Sequence, residues 1–96
     1  MINYIKINSF DWDEGNINKN LIKHGISCQE AEEIFLDSKA IHLEDDKHSI
    51  KESRYIIIGR NFSEKILTAI YMIRKNKIRI ISVRNANKKE KDWYLS

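Results

Sequence analysis

RYIIIGR-NFSE-KILTAIYMI-RKN-KIRIISVR, residues 54–84, decides the fold of this chain. Three runs within it, Arg54–Gly59, Lys65–Ile73 and Lys77–Arg84, are dense in isoleucine. β-Branched side chains suit a pleated, half-buried surface, so each run predicts a strand. The intervening Asn61-Phe62-Ser63-Glu64 and Arg74-Lys75-Asn76 are turn-like. Connections this short make antiparallel hairpins, because a parallel crossover needs about a dozen residues or more. Upstream, residues 37–53 are polar and acidic around Glu44-Asp45-Asp46, with Ile41 and Leu43 predicting a short strand ahead of that loop. Before them, Ser27-Cys28-Gln29-Glu30 has the form of a capping box, and Ala31, Ile34 and Phe35 supply an apolar stripe for a helix over 28–36. Gly25 closes an earlier helix expected over 13–24, capped by Asp11 or Asp13, with Ile17, Leu21 and His24 on one face. Ile2–Ile7 predicts a short strand from its partial alternation. Downstream, Asn87-Lys88-Lys89-Glu90 repeats the capping pattern and opens a final helix with Trp93 and Tyr94. The class is therefore α+β: an antiparallel sheet with two N-terminal helices and one C-terminal helix.

With 96 residues, of which 42% are hydrophobic and 32% charged, the chain fits one globular domain and neither a disordered nor a membrane protein. No apolar run approaches the roughly 20 residues that span a bilayer. Met1 to Phe10 carries Lys6 and no small-residue cleavage pattern, so it does not read as a signal peptide. A single Cys28 forms no internal disulfide and no metal knuckle, which suits the cytoplasm. The net charge of +3 conceals a sorting of charge along the chain. Residues 1–53 hold six Lys and no Arg against eleven acids, giving −5, whereas residues 54–96 hold six Lys and five Arg against three acids, giving +8. A basic half suggests a polyanionic partner such as RNA; a solvated surface with charges sorted by chance is the plainer alternative.

The ordered motifs are similar to those of a known family. Phe10-Asp11-Trp12-Asp13 resembles the aromatic-x-Trp-Asp start of BrnT toxins, and Asn20 with Lys23-His24-Gly25-Ile26 resembles their Asn-x-x-Lys-His-Gly-Val segment. Glu30-Ala31 and Phe35-x-Asp37 follow at the family's spacing, and Glu52-x-Arg54 with Ile58-Gly59-Arg60 resembles its second strand. Residues 79–86, with Arg79, Arg84 and Ala86, are similar to its Arg-Ile-Ile-Ser-Ala-Arg-x-Ala strand, and Glu90 and Tyr94 fall where its last helix has Glu and Tyr. Cys28 in place of a usual Phe and Val83 in place of Ala are the departures. The resemblance implies one RelE-like toxin domain over residues 1–96, metal-independent RNA cleavage without a cofactor, and arrest of translation and growth. It also implies a BrnA-type antitoxin with a ribbon-helix-helix DNA-binding element. A complex that represses its own gene must leave that element free. The expected assembly is thus a heterotetramer of two toxins and two antitoxins, touching DNA only through the antitoxin.

Metal-free RNA cleavage needs a base for the 2′-hydroxyl, an acid for the leaving oxygen and cations for charge building on the phosphoryl oxygens. Arginine suits the last task because its planar fork binds phosphate bidentately and stays charged. Arg84 and Arg60, at strand ends where polar groups can converge, are the expected phosphate ligands. Strand alternation sets Arg79 and Arg84 on opposite faces unless a bulge intervenes or one lies past the strand end, so Arg79 ranks below them, with a plain solvent-facing role as its alternative. His24, at a helix C-terminus, suits a general acid or phosphate contact; the alternative is a capping residue. Tyr94 could stack on a base or touch the phosphate, while Trp93 is the better candidate for packing on the sheet, and Trp12 for a core anchor. Lys23, Arg54, Arg79 and Lys88 complete the expected RNA contacts. His42 and His48 beside Glu44, Asp45 and Asp46 have no recognisable metal-ligand spacing and read as a solvated acidic loop. The rival to a ribonuclease is a non-catalytic module whose basic sheet face binds nucleic acid or an acidic protein; a toxin that has lost activity is a third reading.

Overall fold

The computed structural model describes residues 9–13, 15, 25–45 and 53–96. Helix α1 (Cys28–Glu33) continues as a 3₁₀ turn over Ile34–Leu36. Four strands follow, β1 (Ile41–Glu44), β2 (Tyr55–Arg60), β3 (Ile66–Arg74) and β4 (Lys77–Asn85), and then helix α2 (Lys88–Leu95). The strands form one antiparallel meander in the order β1-β2-β3-β4. The expected α+β class and all four strands of residues 41–84 are therefore present, with ends shifted by a residue. The strand expected over Ile2–Ile7 and most of the helix expected over 13–24 lie outside the described residues. Gly25 nonetheless adopts φ +67°, the left-handed backbone that glycine takes without a Cβ penalty. No helix among the described residues is long and apolar enough to cross a membrane.

Both capping boxes form. The Ser27 hydroxyl accepts from the Glu30 N–H (3.2 Å) while the Glu30 carboxylate accepts from the Ser27 N–H (3.2 Å). Asn87 and Glu90 do the same for α2, at 2.9 Å each way. The β3–β4 hairpin closes on Arg74 paired with Lys77, leaving Lys75 (φ 49°) and Asn76 (φ 64°) as a two-residue loop with both residues left-handed. That backbone matches the right-handed twist of the flanking strands.

The core lies between the sheet and α1. Ile57, Leu67, Ala69, Tyr71, Ile78, Ile80 and Val83 from the strands meet Ile26, Ala31, Ile34 and Phe35. Tyr71, fully buried, stacks on Tyr55 (5.4 Å) and lies nearly perpendicular to Phe35 (5.0 Å). Trp12 packs against this cluster and its indole N–H donates to Glu32 (2.7 Å), which agrees with the expected anchor. At the sheet's other side, residues 9–11 run parallel to β4 through Asp11 N–H to Ile78 C=O and Ile78 N–H to Ser9 C=O.

Two local features position the site. A Cβ on Gly59 would stand 2.9 Å from the Ile34 carbonyl oxygen, so only glycine lets the 3₁₀ turn settle on β2. The residues just past that turn are thereby brought to the free edge of β2 beyond its last pair with β1, Ile41 with Ile58. Secondly, β4 contains a bulge: Ser82 pairs with Ile70 and Ile80 with Tyr71, so Ile81 is skipped. Ile78, Ile80 and Val83 then all face the core, and Arg79, Ser82 and Arg84 share the opposite face.

Candidate active site

On that opposite face, the pairings of Ile58 with Thr68 and of Thr68 with Arg84 place Arg60, Thr68 and Arg84 at one end of the sheet. Helix α2 runs across this end. Glu90 and Tyr94, four residues apart on one helix face, reach towards β4 and β2 respectively.

The Arg84 guanidinium grips the Glu90 carboxylate end-on, Nη1 to Oε1 at 2.7 Å and Nη2 to Oε2 at 2.9 Å. Glu90 is nearly buried, with 12% of its side chain exposed, against 45% for Arg84. The Arg84 hydrogen bonds, and then the Asn87 N–H, hold the Glu90 carboxyl below its ordinary range against the opposing effect of burial. Glu90 in turn raises the Arg84 pKa. An end-on fork leaves Nε–H and the second Nη2–H of Arg84 for another oxyanion.

About 10 Å across the sheet, two strands away, a second cluster forms around Asp37. Its Oδ2 accepts from the Tyr94 hydroxyl (2.5 Å) and from the Arg60 backbone N–H (2.8 Å), while Oδ1 accepts from the Lys39 N–H (3.0 Å). The Arg60 guanidinium stands over the Tyr94 ring, 5.4 Å from its centroid. Burial works against the Asp37 carboxylate, but the donors from Tyr94, Arg60 and Lys39 outweigh it and keep the group below its usual pKa. Burial and the adjacent Asp37 carboxylate push the Tyr94 phenol up, so it stays protonated at neutral pH.

The structure thus brings Arg60 and Tyr94 into contact and places Arg84 on the same face two strands away. Arg79 is elsewhere. The bulge does turn it to the same face as Arg84, but its guanidinium pairs with Asp13 (3.0 Å) and Asp11 (3.5 Å), and Asp13 raises its pKa. It clamps the incoming segment to β4, so the guanidinium expected to meet RNA is engaged here with Asp11 and Asp13. Arg54 precedes β2 at the end opposite Arg60, about 20 Å along the strand, and its carbonyl accepts from the Asp45 N–H. Lys88 opens α2 and is exposed. Lys23 and His24 lie outside the described residues. Trp93, expected to pack on the sheet, is instead 46% exposed beneath the Lys89 ammonium, whereas Tyr94 is half-buried with its hydroxyl on Asp37. The buried Glu90 sets the helix face, and Tyr94, not Trp93, follows it at i+4. Asp37 and Glu90 were missed as site residues, although each stands in a family-like motif. Among the described residues no group of three His, Cys, Asp or Glu could hold a metal ion. His42 brings its ring Nδ1 to the Tyr71 hydroxyl (3.2 Å).

A model of the family described as "Ribonuclease toxin, BrnT, of type II toxin-antitoxin system" matches residues 12–90. The chain belongs to the BrnT family. It is accordingly a ribonuclease toxin of a type II system, with RNA as its substrate and a protein antitoxin as its partner. The BrnT match takes in Asp37, Arg60, Arg84 and Glu90 and stops four residues before Tyr94. No curated protein matches the chain.

Proposed function

We propose that this BrnT toxin is a metal-independent endoribonuclease with a single RelE-like domain, and that its active centre is the end of the sheet crossed by α2. The carrying observation is the Arg60 guanidinium stacked on Tyr94 at 5.4 Å, with Arg84 held rigidly by Glu90 on the same face. The 2′-hydroxyl of RNA gives its proton to a general base, water included, and attacks the adjacent phosphorus as the bond from phosphorus to the 5′-oxygen breaks. Arg60 and the free side of the Arg84 fork take the charge that builds on the phosphoryl oxygens. Cations already held in place by Tyr94 and Glu90 need no reorganisation as that charge develops, which is where electrostatic stabilisation is greatest. Tyr94 contacts the ribose or base, His24 supplies the proton for the leaving oxygen, and Lys23 and Lys88 hold flanking phosphates. These roles need no metal and no cofactor.

In the cytoplasm such cleavage arrests translation and growth. The basic half of the chain favours an acidic covering segment from a BrnA-type antitoxin. Two antitoxins paired through their ribbon-helix-helix elements, each covering one toxin, give the heterotetramer, and DNA is touched by the antitoxin alone. The test is cleavage of bulk RNA by purified protein in EDTA. Wild type is expected to cut and Arg60→Ala to lose most of that activity. Failure of wild type to cut any RNA, with RNA binding intact, would favour the non-catalytic module.

A further inference from the structure

Asp37 is surrounded by donors: the Tyr94 O–H, the Arg60 N–H and the Lys39 N–H all point at its two oxygens. The two backbone N–H groups can only donate, and with the Tyr94 contact they keep Asp37 an ionised carboxylate below its usual pKa; a carboxylate has no proton to give, so the Tyr94 hydroxyl is the donor. A phenol has a single proton. That of Tyr94 is committed to Asp37, and the Tyr94 oxygen therefore offers only lone pairs to anything that docks against it. Phosphate oxygens are acceptors and cannot use those lone pairs. The ribose 2′-hydroxyl is a donor, and it is the group that RNA has and DNA lacks.

We propose that Asp37 is a positioning residue that makes Tyr94 a hydrogen-bond acceptor for the RNA 2′-hydroxyl, so that the pair selects ribose over deoxyribose. The inference rests on the reading of this sheet end as the RNA site. Arg60 supports the same geometry. Its backbone N–H holds Asp37 while its guanidinium lies on the Tyr94 ring and leaves the phenolic oxygen at the ring's edge. The separation of 57 positions between Asp37 and Tyr94 makes the contact a product of the tertiary fold. A mainly architectural Asp37 would tie α2 to β2 but would have no bearing on the sugar.

Three probes of one single-stranded sequence test this by fluorescence anisotropy: RNA, DNA, and the 2′-fluoro form, which has an acceptor where RNA has a donor. Wild type is expected to bind RNA about five- to tenfold more tightly than either analogue, the worth of one hydrogen bond. Tyr94→Phe keeps the ring under Arg60 and is expected to bind all three alike. Asp37→Asn places an N–H₂ among donors, frees the phenolic proton in one of its two orientations, and is expected to narrow the preference. Ultraviolet titration supplies a readout separate from RNA: the phenol that disappears in Tyr94→Phe should titrate at lower pH in Asp37→Asn. Should Asp37→Asn fail to fold, Tyr94→Phe carries the test. Equal binding of RNA and DNA by wild type, or an undiminished RNA preference in Tyr94→Phe, overturns the proposal. Because binding is measured apart from cleavage, a protein that prefers RNA without cutting it would overturn the ribonuclease mechanism and leave this inference standing.

Discussion

Replacing Arg84 by alanine perturbs two things at once, and the structure lets their sizes be separated. The mutation removes both hydrogen bonds from a Glu90 carboxylate that is only 12% exposed, leaving the Asn87 N–H as its remaining strong donor. Breaking a fully buried pair typically costs about 3–5 kcal/mol, but Arg84 is 45% exposed and water can replace part of what is lost. Discounted for that screening, the expected loss is about 1–2 kcal/mol. For a domain of this size such a loss lowers Tm by about 4–16 °C. Arg84→Ala is thus not structurally silent, contrary to what its place at a strand end suggests. The pH dependence identifies the cause. Glu90 has a depressed pKa in the folded state, so the stability it contributes is fully present above its unfolded pKa of about 4.3 and is lost as pH falls through the lower folded value. The Tm gap between wild type and Arg84→Ala should therefore be full at pH 7 and close in acid. Calorimetric melts across that range make the measurement. A gap absent at pH 7, or one that widens in acid, would refute the reasoning. At neutral pH and well below Tm the folded variant should still lose about 10²–10³ in cleavage rate, the usual effect of deleting a preorganised transition-state donor.

Gly59→Ala should destabilise the protein by about 1–3 kcal/mol, because the new Cβ meets the Ile34 carbonyl at 2.9 Å and backbone must shift; a melt within a degree of wild type would contradict this. Cleavage should persist in EDTA, and a loss that Mg²⁺ restores would return the acidic loop to consideration as a metal site. Co-expression with the adjacent gene should yield a complex whose mass corresponds to two toxins and two antitoxins and which leaves RNA uncut. Its interface should bury at least ~1,000 Å² per contact, and a toxin that elutes alone would exclude it.

Much of this protein is decided by neighbours in sequence. The capping boxes at Ser27–Glu30 and Asn87–Glu90 act over three residues, the isoleucine-rich runs show their strand character within themselves, and the short turns leave only antiparallel pairing. These local terms were sufficient for the α+β class, for the four strands from Ile41 onward, and for nominating Arg60, Arg84 and Tyr94. Tertiary structure decided what depends on distant partners. The bulge at Ile81 arises between two strands and moves Arg79 to the face of Arg84, which regular alternation forbids. The burial of Glu90 rotates α2 so that Tyr94 packs inward and Trp93 outward, although both are aromatic and adjacent. Asp37 meets Arg60 and Tyr94 only because Gly59 admits the Ile34 turn onto β2 and α2 crosses back over the sheet. Hydrogen-bond direction at Tyr94 follows from that meeting of three segments, and periodicity along one segment has no means of encoding it.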